Sequence, residues 1–275
     1  MSSKTIAALA AAFAIVAAAI WLGGDFALFF NPAGLLLVIG GTCAGVLLAF
    51  PLDTLRGLAA EVRGLAGRRT LGARELGELF SRLARLQRAE GALALEEPAA
   101  ASGNPFLELG VEMVVDGAEP EAVRERLEQE AEFFFSRRAA QRAVLGLMGR
   151  LAPAFGLAGT MIGLIRMLHT LKDPAAVAEG MSVALLTTFY GIMLANLLIL
   201  PLERKLGELT RAEAVELALI TEGAAGLAEG LNGAALSARL RSFRLAEPEG
   251  QGERPAAWRP GSASTAPAGS GGHEL

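Results

Sequence analysis

The sequence predicts an all-α membrane protein: four transmembrane helices, a helical cytoplasmic domain between spans 2 and 3, and a C-terminal helical stalk. Three observations carry this. Four apolar stretches, roughly Thr5–Leu22, Pro32–Phe50, Leu151–Leu171 and Met181–Leu200, come close to the about 20 residues that a helix needs to cross a bilayer core. The 275 residues are 52% hydrophobic, with a mean hydropathy of +0.42, which is too apolar for an ordinary soluble domain. Yet 20% are charged, and those charges gather between the second and third stretches and after the fourth, where a water-facing part is expected.

The first element, residues 1–51, reads as a transmembrane hairpin. Lys4 ahead of an Ala-rich run looks like a secretion signal, but the run has nearly full spanning length. It is followed by Gly23-Gly24-Asp25 and a second apolar helix, so an uncleaved hairpin is expected. Residues 52–149 read as a cytoplasmic helical domain. Thr54–Ala66 and Ala73–Arg88 space their leucines by three and four, as in Leu76, Leu79, Leu83 and Leu86. That spacing gives each helix one apolar stripe, and the two are expected to pack together against the membrane stalk. Glu90-Gly91 breaks the pattern, and the small residues Pro98 to Asn104 predict a loop.

After the turn signal Asp116-Gly117, Pro120 sits where a first helical turn tolerates it, with Glu119 and Glu121 near the positive end of the helix dipole. No breaker follows before Gly146, so one helix is expected from Glu121 to His169, running into the membrane. Residues 150–201 hold the third and fourth spans. Pro201 is expected to end or kink the fourth. A helical stalk follows over 202–245, and residues 246–275, rich in Gly, Pro, Ala and Ser, predict a disordered tail.

Arginine placement predicts the orientation. Loop Gly23–Asn31 carries no Lys or Arg. Arg56, Arg63, Arg68 and Arg69 follow the second span, Arg137, Arg138 and Arg142 precede the third, and Arg204, Lys205 and Arg211 follow the fourth. Both termini and the long middle segment are therefore expected in the cytoplasm. Arg166 and Lys172 run against the rule but are outnumbered, and long basic side chains near a helix end reach the interface.

Composition excludes several function classes. A net charge of -4 argues against nucleic acid as a partner, because neutralising phosphates needs a basic surface. The one cysteine, Cys43, lies in the second span, so neither an intramolecular disulfide nor a CxxC metal motif is available. An enzyme is not expected: no nucleophile and base constellation is present, His169 and His273 are the only histidines, and no Gly-rich phosphate loop follows a strand. No cofactor or metal is implied.

Within the spans the informative residues are small or hydroxylic. Gly156, Gly159, Thr160 and Gly163 lie in the third, and Thr187, Thr188, Tyr190, Gly191 and Asn196 in the fourth. Gly159 and Gly163 form a small-xxx-small pair that lets helices approach closely. Counted inward from Arg150 and Pro201, Thr160 and Thr188 lie roughly 15 and 20 Å from the same membrane face. Their oxygens can replace part of a cation's water shell but supply no net negative charge. No Asp or Glu occurs in the middle of any span. Cation paths through lipid usually keep an ionisable group, so the chain is either structural or one half of a channel whose carboxylate sits on another polypeptide.

The stretch Ala152 to Ile165, then Asp173-Pro174, then Met181 to Gly191 with its Thr187-Thr188-Phe189-Tyr190-Gly191, resembles motility protein A, the flagellar motor stator subunit of the MotA/PomA family. Asn196 to Pro201 and Lys205-Leu206 extend the resemblance, as do Arg88 to Glu96 and Phe106 to Gly117. The resemblance implies a ring of five such chains around two single-span B subunits, each bringing a transmembrane aspartate and a peptidoglycan-binding domain. It implies that flow of H+ or Na+ turns the rotor switch protein of the flagellar C-ring, in the bacterial inner membrane. It places Thr160, Thr187 and Thr188 along the ion path, with a lean to sodium, and Arg88 and Glu96 at the rotor. It makes Pro153 and Pro201 the coupling prolines and leaves Gly156, Gly159, Gly163 and Gly191 to helix packing. Two alternatives remain. A related ExbB/TolQ-type energiser of envelope processes usually has a single span ahead of its cytoplasmic segment. A non-conducting scaffold would use its hydroxyls only to pack helices.

Overall fold

A computed structural model describes residues 3–24, 26–65 and 70–245. The expected tail, and Arg68 and Arg69 of the orientation argument, lie outside the described residues. Every regular element among the described residues is helical. Helix α1 spans Ser3–Leu22, and a 3-10 turn at Phe26–Phe29 leads to α2, Pro32–Ala49. Next come α3, Leu52–Gly64, α4, Ala73–Glu90, a 3-10 turn at Ala92–Leu95, α5, Glu96–Ala101, and α6, Pro105–Val115. Two long helices follow, α7 at Pro120–His169 and α8 at Pro174–Ala228, and then α9 at Gly233–Leu245.

Local chemistry sets the starts. Asn31, Asn104 and Asp173 each accept a hydrogen bond from the first turn of α2, α6 and α8, and each precedes a proline at the first helical position. There the missing N–H of proline costs nothing. The expected turn at Asp116-Gly117 is present: Gly117 adopts a φ of 74°, and the Ala118 N–H returns to the Met113 carbonyl at 3.0 Å, which closes α6. Helix α7 runs unbroken for 50 residues, about 75 Å at 1.5 Å per residue.

Among the described residues α2, α7 and α8 are each long and apolar enough to cross a membrane, and Ala10–Leu22 of α1 is a shorter apolar stretch. Two hydrophobic clusters lie along the long helices. In one, Leu76, Phe80 and Leu83 of α4 meet Leu107 of α6, Leu127 of α7, Ile220 and Leu227 of α8 and Leu236 of α9. In the other, Val46 of α2 and Leu58 of α3 meet Val144 and Leu145 of α7 and Ile199 and Leu206 of α8. Ion pairs reinforce the first: Arg124 of α7 reaches Glu222 of α8 at 3.2 Å, and Arg239 of α9 reaches the same Glu222 at 2.9 Å. Burial opposes the Arg124 charge, but the hydrogen bond and charge of Glu222, with Glu121, outweigh it and raise its pKa.

Four expectations differ from the structure. Of the expected loop Pro98 to Asn104, the first four residues are helical and only Ser102 to Asn104 are not, because proline is tolerated in a first turn and alanine favours helix. Helices α3 and α4 do not share a core: Leu58 packs in the second cluster and Leu76 in the first. The helix does not end at Pro201, one of the two outcomes expected there. Helix α8 continues through it after a π-turn at Leu194–Ile199, whose wider backbone takes up the ring and the lost hydrogen bond. The stalk breaks at Gly230, φ 72°, and α9 folds back along α4.

Candidate functional site

Helices α7 and α8 form an antiparallel hairpin whose contact is a seam of small residues. Ala152, Gly156, Gly159 and Gly163 on α7 recur at spacings of four, three and four, which keeps them on one helix face. Gly180, Ala184, Thr187 and Gly191 on α8 share that spacing. The two rows meet in register. A methyl group on Gly163 would lie 2.6 Å from the Gly180 carbonyl, one on Gly156 2.9 Å from the Thr187 carbonyl, and one on Gly191 2.5 Å from the Ala152 carbonyl. On Gly159 it would overlap the Thr187 side chain.

This seam places the hydroxyls. Thr187 is fully buried against Gly159, and its hydroxyl donates to the Val183 and Ala184 carbonyls at 2.9 and 3.1 Å. Thr160 and Thr188 are half-buried; they donate to the Leu157 and Ala184 carbonyls at 2.6 and 3.4 Å. Each threonine gives its proton to its own helix and keeps oxygen lone pairs for other contacts. Between 151 and 165, and again between 180 and 202, the sequence has no ionisable side chain except the phenol of Tyr190. These stretches of the hairpin therefore offer neutral oxygens and no carboxylate.

Pro153 lies inside α7 at the seam, where a methyl on Gly191 would be 3.1 Å from its Cα. Pro201 is exposed on α8, just beyond the π-turn. Arg88 and Glu96 are both exposed. They flank the connection from α4 to α5, in which Gly91 adopts a φ of 94°. Arg88 is not free, because its guanidinium donates to the Gly230 carbonyl at 3.0 Å.

Sequence reasoning missed three features. Gly180 and Ala184 complete the α8 half of the seam, and the repeated four-three-four spacing would have revealed them. The Tyr190 hydroxyl donates to the Phe29 carbonyl at 2.6 Å and accepts from the Asn31 N–H at 2.8 Å, a pairing that no local pattern signals. Arg138, 3% exposed, binds Glu61 of α3 at 2.5 Å and Glu213 of α8 at 2.9 Å and lies over the Phe134 ring at 4.8 Å. Its place in an arginine-rich run hid it.

Comparison with known proteins gives a consistent result. Residues 99–218 match the model of the MotA/TolQ/ExbB proton channel family. Chemotaxis protein PomA of Vibrio alginolyticus is 32% identical over 246 residues, 88% of this chain and 95% of that protein. Motility protein A of Treponema phagedenis is 33% identical over 83% of this chain and 88% of its own length. Among solved structures, the flagellar MotAB stator complex from Bacillus subtilis superposes with a TM-score of 0.79 at 29% identity, covering 88% of this chain and 96% of that one. MotAB of C. jejuni superposes with a TM-score of 0.78 at 27% identity, with the same coverage.

Proposed function

This chain belongs to the MotA/TolQ/ExbB proton channel family, and we propose that it is the A-type stator subunit of a flagellar motor, completed by a B subunit. The relatives named for motility and chemotaxis, matched over more than four-fifths of the chain, favour the motor over an ExbB/TolQ-type energiser. The observation that carries the mechanism is the hairpin itself, which has hydroxyl oxygens but no carboxylate between 151 and 165 or between 180 and 202. An ion held there needs a negative charge from a partner, and a B subunit with a transmembrane aspartate supplies it.

In this reading four spans place both termini in the cytoplasm of a bacterial inner membrane. Residues 1–51 form the first transmembrane hairpin and 150–201 the ion-path pair, while 52–149 and 202–245 form the cytoplasmic part. Five copies surround two B subunits. Thr160 and Thr188 line the path for H+ or Na+, with Thr187 behind them closing the seam. Gly156, Gly159, Gly163 and Gly191 hold the two helices together. Pro153 and Pro201 mark where motion at the ion site passes down the helices, because each removes one backbone hydrogen bond. Arg88 and Glu96 meet the rotor switch protein. Exposed ion pairs contribute only about 0–1 kcal/mol each, weak enough to form and release at every step.

The experiment is complementation. Expressed with its cognate B subunit in a bacterium lacking its own stators, the chain restores rotation; expressed without it, the cells stay paralysed. Restored envelope transport in an ExbB-deficient strain, with no rotation in the stator-deficient one, would assign the chain to the energiser class.

A further inference from the structure

Tyr190 is the only tyrosine in the chain, and its hydroxyl joins segments 159 and 161 residues apart in sequence. It donates to the Phe29 carbonyl and accepts from the Asn31 N–H. These two backbone groups lie where the 3-10 turn gives way to α2. Non-helical backbone is held in one conformation where other protein groups satisfy its N–H and C=O. Tyr190 satisfies both.

The neighbouring contacts tie this joint to the ion path. Asn31 also caps α2 through the Gly34 N–H at 2.8 Å. Gly34 lies so close to α8 that a methyl on it would be 3.0 Å from the Thr187 methyl and 3.4 Å from the Tyr190 ring. The Phe29 ring meets Phe189 edge-on at 6.1 Å. Thr187 is thus wedged between Gly159 of α7 on one side and Gly34 of α2 on the other, one residue from Thr188.

We propose that Tyr190 is a positioning residue for the ion path: its hydroxyl fastens the first hairpin to α8 and so fixes where the Thr188 oxygen stands. Without it, α2 no longer presses Thr187 against the seam, and α8 gains freedom to turn on α7. The hairpin of α1 and α2 is then a clamp on the conducting pair as well as a membrane anchor. This inference rests on the stator reading above.

The test uses the complete complex of this chain with its B subunit. Tyr190→Phe keeps the ring, its packing on Phe189 and the Gly34 contact, and removes only the two hydrogen bonds. Amide hydrogen exchange over residues 29–34 is expected to speed up about fivefold, as the loss of a modest hydrogen bond implies. In vesicles, ion flux is measured across a sodium chloride series at fixed pH and a pH series at fixed sodium. The ion concentration for half-maximal flux is expected to rise severalfold, with maximal flux near that of the unaltered complex. Gly34→Ala, which pushes on Thr187 from the other side, is expected to shift the same parameter and decides the matter if Tyr190→Phe does not accumulate. A merely structural role would lower the amount of complex or its maximal flux and leave the half-maximal concentration where it was; that result overturns the proposal. Unaltered subunits that pass no ions remove the stator reading and this inference together. An unaltered complex that conducts, with both variants matching it, removes the inference alone.

Discussion

Thr188 is half-buried and gives its proton to the Ala184 carbonyl, so its oxygen can face an ion only as a neutral ligand. Thr188→Ala therefore removes one ligand and no charge. Swimming should slow while the subunit level on a blot stays constant, and dependence on external sodium should change if sodium is the ion. Unchanged speed and unchanged sodium dependence would return the threonine to packing. At the cytoplasmic end, Arg88→Gln should weaken the rotor contact by no more than about 1 kcal/mol, the worth of an exposed pair. Arg88→Glu adds repulsion and should cost more torque, with ion flux intact and partial rescue by an opposite charge reversal on the rotor. Loss of flux in Arg88→Glu would mean that its bond to the Gly230 carbonyl holds the fold. The threonines and charges stand out in the sequence because a local motif surrounds them. Tyr190 was visible as a residue, but its partners were not, because both lie about 160 positions away.

The α7–α8 seam governs the elements. A larger side chain at Gly159 must displace Thr187, and overpacking of this kind typically costs about 1–3 kcal/mol. Gly159→Leu should therefore lower the unfolding temperature of the purified complex and its flux together, whereas the same change at Gly77, which has open space around it, should do neither. Equal stability of Gly159→Leu would show that the two helices are not held through this contact. Helix starts were readable because Asn-Pro and Asp-Pro pairs satisfy and pre-shape a first turn. Two ends were not. Pro98 followed by alanines reads as a loop by composition but sits in a first turn, where proline does no harm. Pro201 reads as an end or a kink, yet the helix runs on through it after the π-turn, and no residue type announces a π-turn.

At the scale of the molecule, the two hydrophobic clusters are linked by Arg138, which ties α3, α7 and α8 through Glu61 and Glu213. Removing one member of a buried ion pair costs about 3–5 kcal/mol, so Arg138→Ala should reduce the thermal stability and membrane level of the chain more than any exposed charge change. Levels equal to those of Arg74→Ala, an exposed arginine paired within its own helix, would contradict this. Hydropathy made the long apolar helices α2, α7 and α8 legible. The return of α9 onto α4 was not, since only the tertiary contact shows which side of Gly230 the chain takes. The central claim is that the chain forms half of an ion path and waits for a carboxylate from its partner. The most direct measurement is ion flux into vesicles holding the purified chain alone and then the chain with its B subunit. The account predicts no flux above empty vesicles in the first case and flux driven by a sodium or proton gradient in the second; robust flux from the chain alone would contradict it.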